Sequence, residues 1–186
     1  MAGLLDLILK QQDGAVVKQL SNTFGLNQQD AIKAIGSLLP ALNQGVKNNI
    51  SNEDGLGKLL GALKNGQHQQ YLDQPEKLGR PETIQDGNSI LGHILGSKDV
   101  SREVASNAAA TTGLDAGILK KMLPVIATMV MGSLSKKSSD MGVLNQVSGG
   151  QSVAPSGISG MLVSLLDADK DGSVVDDLLG MAKKLF

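Results

Sequence analysis

Asn27-Gln28-Gln29-Asp30-Ala31-Ile32-Lys33-Ala34-Ile35-Gly36-Ser37-Leu38-Leu39-Pro40-Ala41-Leu42-Asn43-Gln44-Gly45-Val46 decides the fold class. Ala31, Ile32, Ile35, Leu38, Leu39, Leu42 and Val46 recur in steps of three and four, which brings their side chains to one face of an α-helix. Asn27 stands where an N-cap belongs, and Gly25 just before it reads as the stop of an earlier helix. Pro40 lies inside the pattern. It removes one main-chain hydrogen bond and crowds the preceding turn, so a kink is expected there.

Working outward, Leu4, Leu5, Leu7 and Ile8 and then Val16, Val17, Leu20 and Phe24 keep helical spacing, with Asp13-Gly14 as an interruption and Asp13 as a second N-cap. Downstream, Ser51 with Asp54 resembles a capping box opening a short helix through Leu63. The next stretch, 64–86, is polar and aperiodic, with Asn65-Gly66, Gln67-His68-Gln69-Gln70, Pro75, Gly79 and Pro81, and reads as a surface connection. Ile90, Leu91, Ile94 and Leu95 then suggest a short helix ended by Gly96. Ser101 is the expected cap of the next helix. After Gly113, Asp115 caps a long segment carrying Ile118, Leu119, Met122, Leu123, Val125, Ile126, Met129 and Val130.

The two halves echo each other. Gly25-Leu26, Leu39-Pro40, Val46, Asp54 and Leu59 find counterparts in Gly113-Leu114, Leu123-Pro124, Val130, Asp140 and Leu144. The expected architecture is therefore all-α: a bundle of short helices around two long Pro-kinked helices. Residues 1–147 form a helical domain of two related halves, about 1–64 and 86–147, joined by a polar linker at 65–85. A Gly/Ser/Pro-rich linker at 148–157 leads to a C-terminal helix-loop-helix, an Asp-loop hairpin over 158–186.

Composition agrees. Only Phe24, Tyr71 and Phe186 are aromatic, so a core must come from Leu, Ile, Val, Met and Ala, which suits helix-on-helix packing. With 17 basic and 18 acidic residues no global field draws nucleic acid or anionic lipid. The absence of Cys excludes disulfides and thiolate metal sites and fits a reducing compartment. The N-terminus lacks a basic n-region and carries Asp6 within its apolar run, so no secretory signal is expected. Met122 to Leu134 falls short of the roughly 20 residues a spanning helix needs. A cytoplasmic protein without a membrane span is expected.

Leu4-Leu5-Asp6, Leu39-Pro40-Ala41-Leu42, the segment 87–96, Leu123-Pro124 and the tail Leu165-Leu166-Asp167-Ala168-Asp169-Lys170-Asp171-Gly172-Ser173 together resemble the bacterial domain-of-unknown-function 937 family over nearly the whole length. The resemblance implies a small α-helical bacterial protein. It supplies no reaction, substrate or catalytic residue.

The tail is also the sharpest chemical signal. Asp167, Asp169, Asp171 and Gly172 match positions 1, 3, 5 and 6 of an EF-hand loop, and Ser173 offers its carbonyl at position 7. The match then weakens, because Val175 stands at position 9 and Leu178 where a bidentate Glu belongs. Asp176 or Asp177 closes the shell only in a shifted register. Hard oxygens on alternate residues suit Ca²⁺, and the missing bidentate ligand implies a weak site, with Kd on the order of 10⁻⁴–10⁻³ M. The alternative is an Asp-Gly turn, with Ser173 capping the last helix and Asp176 and Asp177 favouring its N-terminal dipole.

Other signals are weaker. Leu20, Gly25-Leu26 and Ala31, repeated by Ala108, Gly113-Leu114 and Leu119, have helix-turn-helix spacing, but Lys33 on one face and Lys120 and Lys121 on the other provide too little charge for phosphate contacts, so nucleic acid is not the expected partner. Gly87 to Gly92 mimics a phosphate loop, yet His93 stands where Lys is needed. His68 and His93 pair with no nucleophile by spacing, and solvent-facing or capping roles are expected for both. The reading is a non-enzymatic structural or interaction protein with a Ca²⁺ site in its tail, acting on an unknown protein partner or on itself. The alternative is a nucleic-acid-binding module.

Overall fold

The computed structural model describes residues 8–9, 14–140, 142, 157, 159–160, 162–163 and 166. Among the described residues the secondary structure is entirely helical. The elements are α1 (Ala15–Phe24), α2 (Gln28–Ile50), α3 (Glu53–Asn65), the single turn α4 (Gln70–Asp73), a 3₁₀ turn (Pro75–Lys77), α5 (Pro81–Ile94), α6 (Lys98–Thr112) and α7 (Ala116–Asp140).

The two long helices are entered alike. Gly25 ends α1 and Gly113 ends α6, each with left-handed φ, +67° and +73°, which a residue with a Cβ adopts only with strain. Asn27 then caps α2 by accepting from the Asp30 amide at 2.8 Å, and Asp115 accepts from the Ile118 amide at 2.9 Å. Two other caps differ from expectation. Asn52, not Ser51, caps α3 by accepting from the Gly55 amide, while Ser51 turns back to the Lys47 carbonyl and Asp54 pairs with Lys58. Ser97 caps α6 through the Val100 amide, and Ser101 lies one turn inside.

Burial separates the long helices. On α2 it follows one face, through Ala31, Ala34, Ile35, Leu38, Leu39, Leu42 and Val46, whereas Ile32 is 42% exposed at the edge of that face. On α7 every residue from Met122 to Ser135 is buried. This helix is long and apolar enough to cross a membrane by length and composition, but 78% of its apolar window is buried inside the protein. Around it pack α5 and α6 most extensively, with α2, α3 and α4 completing the shell. Pro40 and Pro124 both lie inside helices, Pro40 exposed and Pro124 buried.

The segment 65–85, expected as a polar surface linker, differs most. Tyr71, Leu72, Pro75 and Leu78 are buried, and α5 already starts at Pro81, which occupies the first helical position where its missing N–H is no loss. The stretch is drawn inward because α7 needs cover there. Gln69 donates to Ser135 and Ser139 of α7, and a Cβ on Gly132 would lie 2.6 Å from the His68 carbonyl oxygen. Gly87 of α5 is tighter still. A Cβ there would lie 2.1 Å from the Pro124 carbonyl oxygen, so only glycine lets these two backbones meet.

The 148–157 linker lies outside the described residues, as does most of the 158–186 hairpin. Leu162 and Leu166 are buried in the same core, and Ser159 donates to the Ile50 carbonyl at the end of α2.

Gly87→Ala is expected to destabilise the protein by about 1–3 kcal/mol, because α5 must shift off α7. Gly61→Ala, at a helical position whose Cβ meets nothing, should stabilise it by about 0.5–1 kcal/mol. Urea unfolding of both variants checks the pair, and equal effects would contradict the close approach.

Candidate functional site

Asp167, Asp169, Asp171, Ser173, Asp176 and Asp177 lie outside the described residues. Among the described residues no three His, Asp or Glu side chains come together as a possible metal site.

The histidines separate. His93 is exposed on α5, and its carbonyl accepts from the Asn49 side chain of α2 at 2.8 Å. His68, expected to face solvent or cap a helix, is half-buried beside Tyr71, with ring centroids 6.3 Å apart. Burial lowers its pKa below the ordinary 6.5, opposed by the Asp86 charge and by a main-chain hydrogen bond at Ala62. Among the described residues no serine or threonine hydroxyl is bonded to either histidine.

Tyr71 is 4% exposed and donates its hydroxyl to the exposed Asp86 carboxylate, tying α4 to α5. Burial raises the tyrosine pKa well above 10, and the bond to Asp86 and its negative charge raise it further. The pair is a structural strut between α4 and α5.

Two grooves open between the helices around α7. The first, about 590 Å³, lies between α5, α6 and the start of α7. Lys98 and Arg102 of α6 and Lys120 of α7 line it, with Ser97 and Ser101 beside them and Leu91 and Leu123 below. Among the described residues no carboxylate lines it. Arg102 is bonded to Asp99 at 2.6 Å through one guanidinium nitrogen, whereas neither Lys98 nor Lys120 forms an ion pair among the described residues. The second groove, about 280 Å³, is apolar. Val46, Leu59, Ala62, Ile90, Ile94 and Met131 form it, and Asn49, Lys58 and His93 stand at its rim.

Of the basic residues singled out by sequence, Lys120 alone lines the cationic groove. Lys98 and Arg102 were overlooked, although their spacing of four places them one turn apart on the same face of α6. Tyr71 and Asp86 carried no signal because neither sits in a periodic apolar pattern.

A family model described as a bacterial protein of unknown function (DUF937) matches residues 6–137. No curated protein matches the chain, and no solved structure does.

Tyr71 is the only tyrosine and there is no Trp, so ultraviolet absorbance reads its ionisation alone. A raised pKa means that the neutral tyrosine favours the fold below about pH 10 and that this contribution is lost as pH rises towards the folded value. Tyrosinate absorbance should therefore appear only well above pH 10, together with alkaline unfolding, and Asp86→Asn should lower the midpoint. Ionisation near pH 10 in the folded protein would contradict the buried bond.

Proposed function

The chain belongs to the bacterial family of unknown function DUF937, and we propose that it is a non-enzymatic protein-interaction module of the cytoplasm. The apolar groove carries this reading. An apolar floor inside a polar rim is the anatomy of a protein–protein contact, in which a partner's aliphatic side chain displaces water while Asn49, Lys58 and His93 take its polar atoms. A second copy of the chain or another protein could supply that side chain. In this reading the two long helices are related copies, each bent at its proline, and the tail holds Ca²⁺ weakly.

The tail site rests on spacing. Asp167, Asp169 and Asp171 supply side-chain oxygens, Ser173 its carbonyl, and Asp176 or Asp177 the last ligand. A cation would relieve repulsion among these carboxylates and fix the tail more than it would transmit a signal.

Ala62→Arg places a cation across the apolar groove without entering the buried core. Wild type should capture a discrete partner from the native bacterium, or self-associate in sedimentation velocity, and Ala62→Arg should lose that association. Equal behaviour of the two proteins would overturn the groove's role. Calorimetric titration with Ca²⁺ tests the tail: heat in wild type that disappears in Asp169→Ala/Asp171→Ala supports it, and equal heats contradict it.

A further inference from the structure

We propose that the cationic groove between α5, α6 and α7 is a binding site for a small organic phosphate. Three positive side chains converge there from two helices; Asp99 pairs with Arg102, whereas Lys98 and Lys120 have no ion-pair partner among the described residues. The chain as a whole is slightly acidic, with a net charge of −1, so this concentration of charge is local. It is also electrostatically unfavourable as it stands. Lys98 occupies the first residue of α6, where a cation opposes the helix dipole, and it lies one turn from Arg102, a like charge. Asp99 takes up one donor of Arg102 and leaves the rest of that guanidinium fork to other acceptors.

A doubly charged phosphate relieves all of this repulsion at once. Arg102 presents a planar donor fork, Lys98 and Lys120 add mobile ammonium groups, and the Asn88 side chain offers a neutral donor at the same wall. A lone carboxylate would balance only one of the two unpaired ammonium groups. The groove, at about 590 Å³, is within the usual range for small-molecule sites and larger than inorganic phosphate requires. The glycines Gly92 and Gly96, with the edge of Leu91, supply an apolar wall for the remainder of the ligand. Its concave shape suits a small molecule better than the extended backbone of a duplex.

The test is an amide chemical-shift titration of the full chain with adenosine 5′-monophosphate and inorganic pyrophosphate, with adenosine as the uncharged control. Separate arms use phosphatidylcholine vesicles containing phosphatidylglycerol, and a short DNA duplex. The expected result is saturable shifts confined to the region of Ser97 to Arg102 and Lys120, produced by a soluble phosphate and not by adenosine. Lys98→Gln and Lys120→Gln, both at exposed positions, should each weaken binding about tenfold, and Arg102→Gln should do the same. Shifts that survive in the triple variant would overturn the proposal. So would failure of both soluble phosphates, whether or not the vesicles or the duplex bind.

Discussion

A helix that carries apolar side chains on every face cannot be satisfied by one neighbour, because half of its surface would remain in water. In α7 every residue from Met122 to Ser135 is buried, and each large side chain sequestered there contributes about 1.5–3 kcal/mol. The rest of the molecule follows from this demand. α5 and α6 cover most of α7, α2 closes another side with its single apolar face, and the short turn α4 seals the remainder. Close cover requires close backbones. Gly87 meets Pro124 and Gly132 meets His68 at distances that leave no room for a methyl group.

The candidate sites are consequences of the same packing. Where α7 emerges towards its N-terminus, Lys120 becomes exposed and meets Lys98 and Arg102 of the covering helix α6. Where α5 and α2 cross α7 near its middle, their apolar faces do not close completely, and the groove floored by Met131 and Ile90 remains. Tyr71 serves the covering layer from within: its ring is buried beside His68, and its hydroxyl reaches outward to Asp86 on α5.

Much of this was legible in the sequence, for reasons that are local. Periodicity located α2 and α7, and Asn27, Asp115, Gly25 and Gly113 bound them as their chemistry requires. Where several polar residues compete for one cap, composition does not choose. Ser51 retains helical dihedrals, whereas Asn52 is extended and therefore becomes the cap. The start of α5 was obscured because Gly87 and Asn88 interrupt its apolar face and Pro81 resembles a loop residue. The 65–85 segment reads as a linker because what draws it in is distant: Leu72 packs at Gly132 and Gln69 bonds to Ser135 and Ser139 of α7, some sixty residues away, with no local pattern to announce it. The cationic groove joins residues from two helices and so exists only in three dimensions. Pairing of Lys98 and Arg102 on one face was the sole sequence clue.

Native-state hydrogen exchange tests the central role of α7 most directly. If the other helices are built around it, amides from Met122 to Leu134 should exchange slowest, and only through global unfolding, while those of the more exposed α3 open at lower free energy. Exchange of the α7 amides through local openings, as fast as that of α3, would contradict the account.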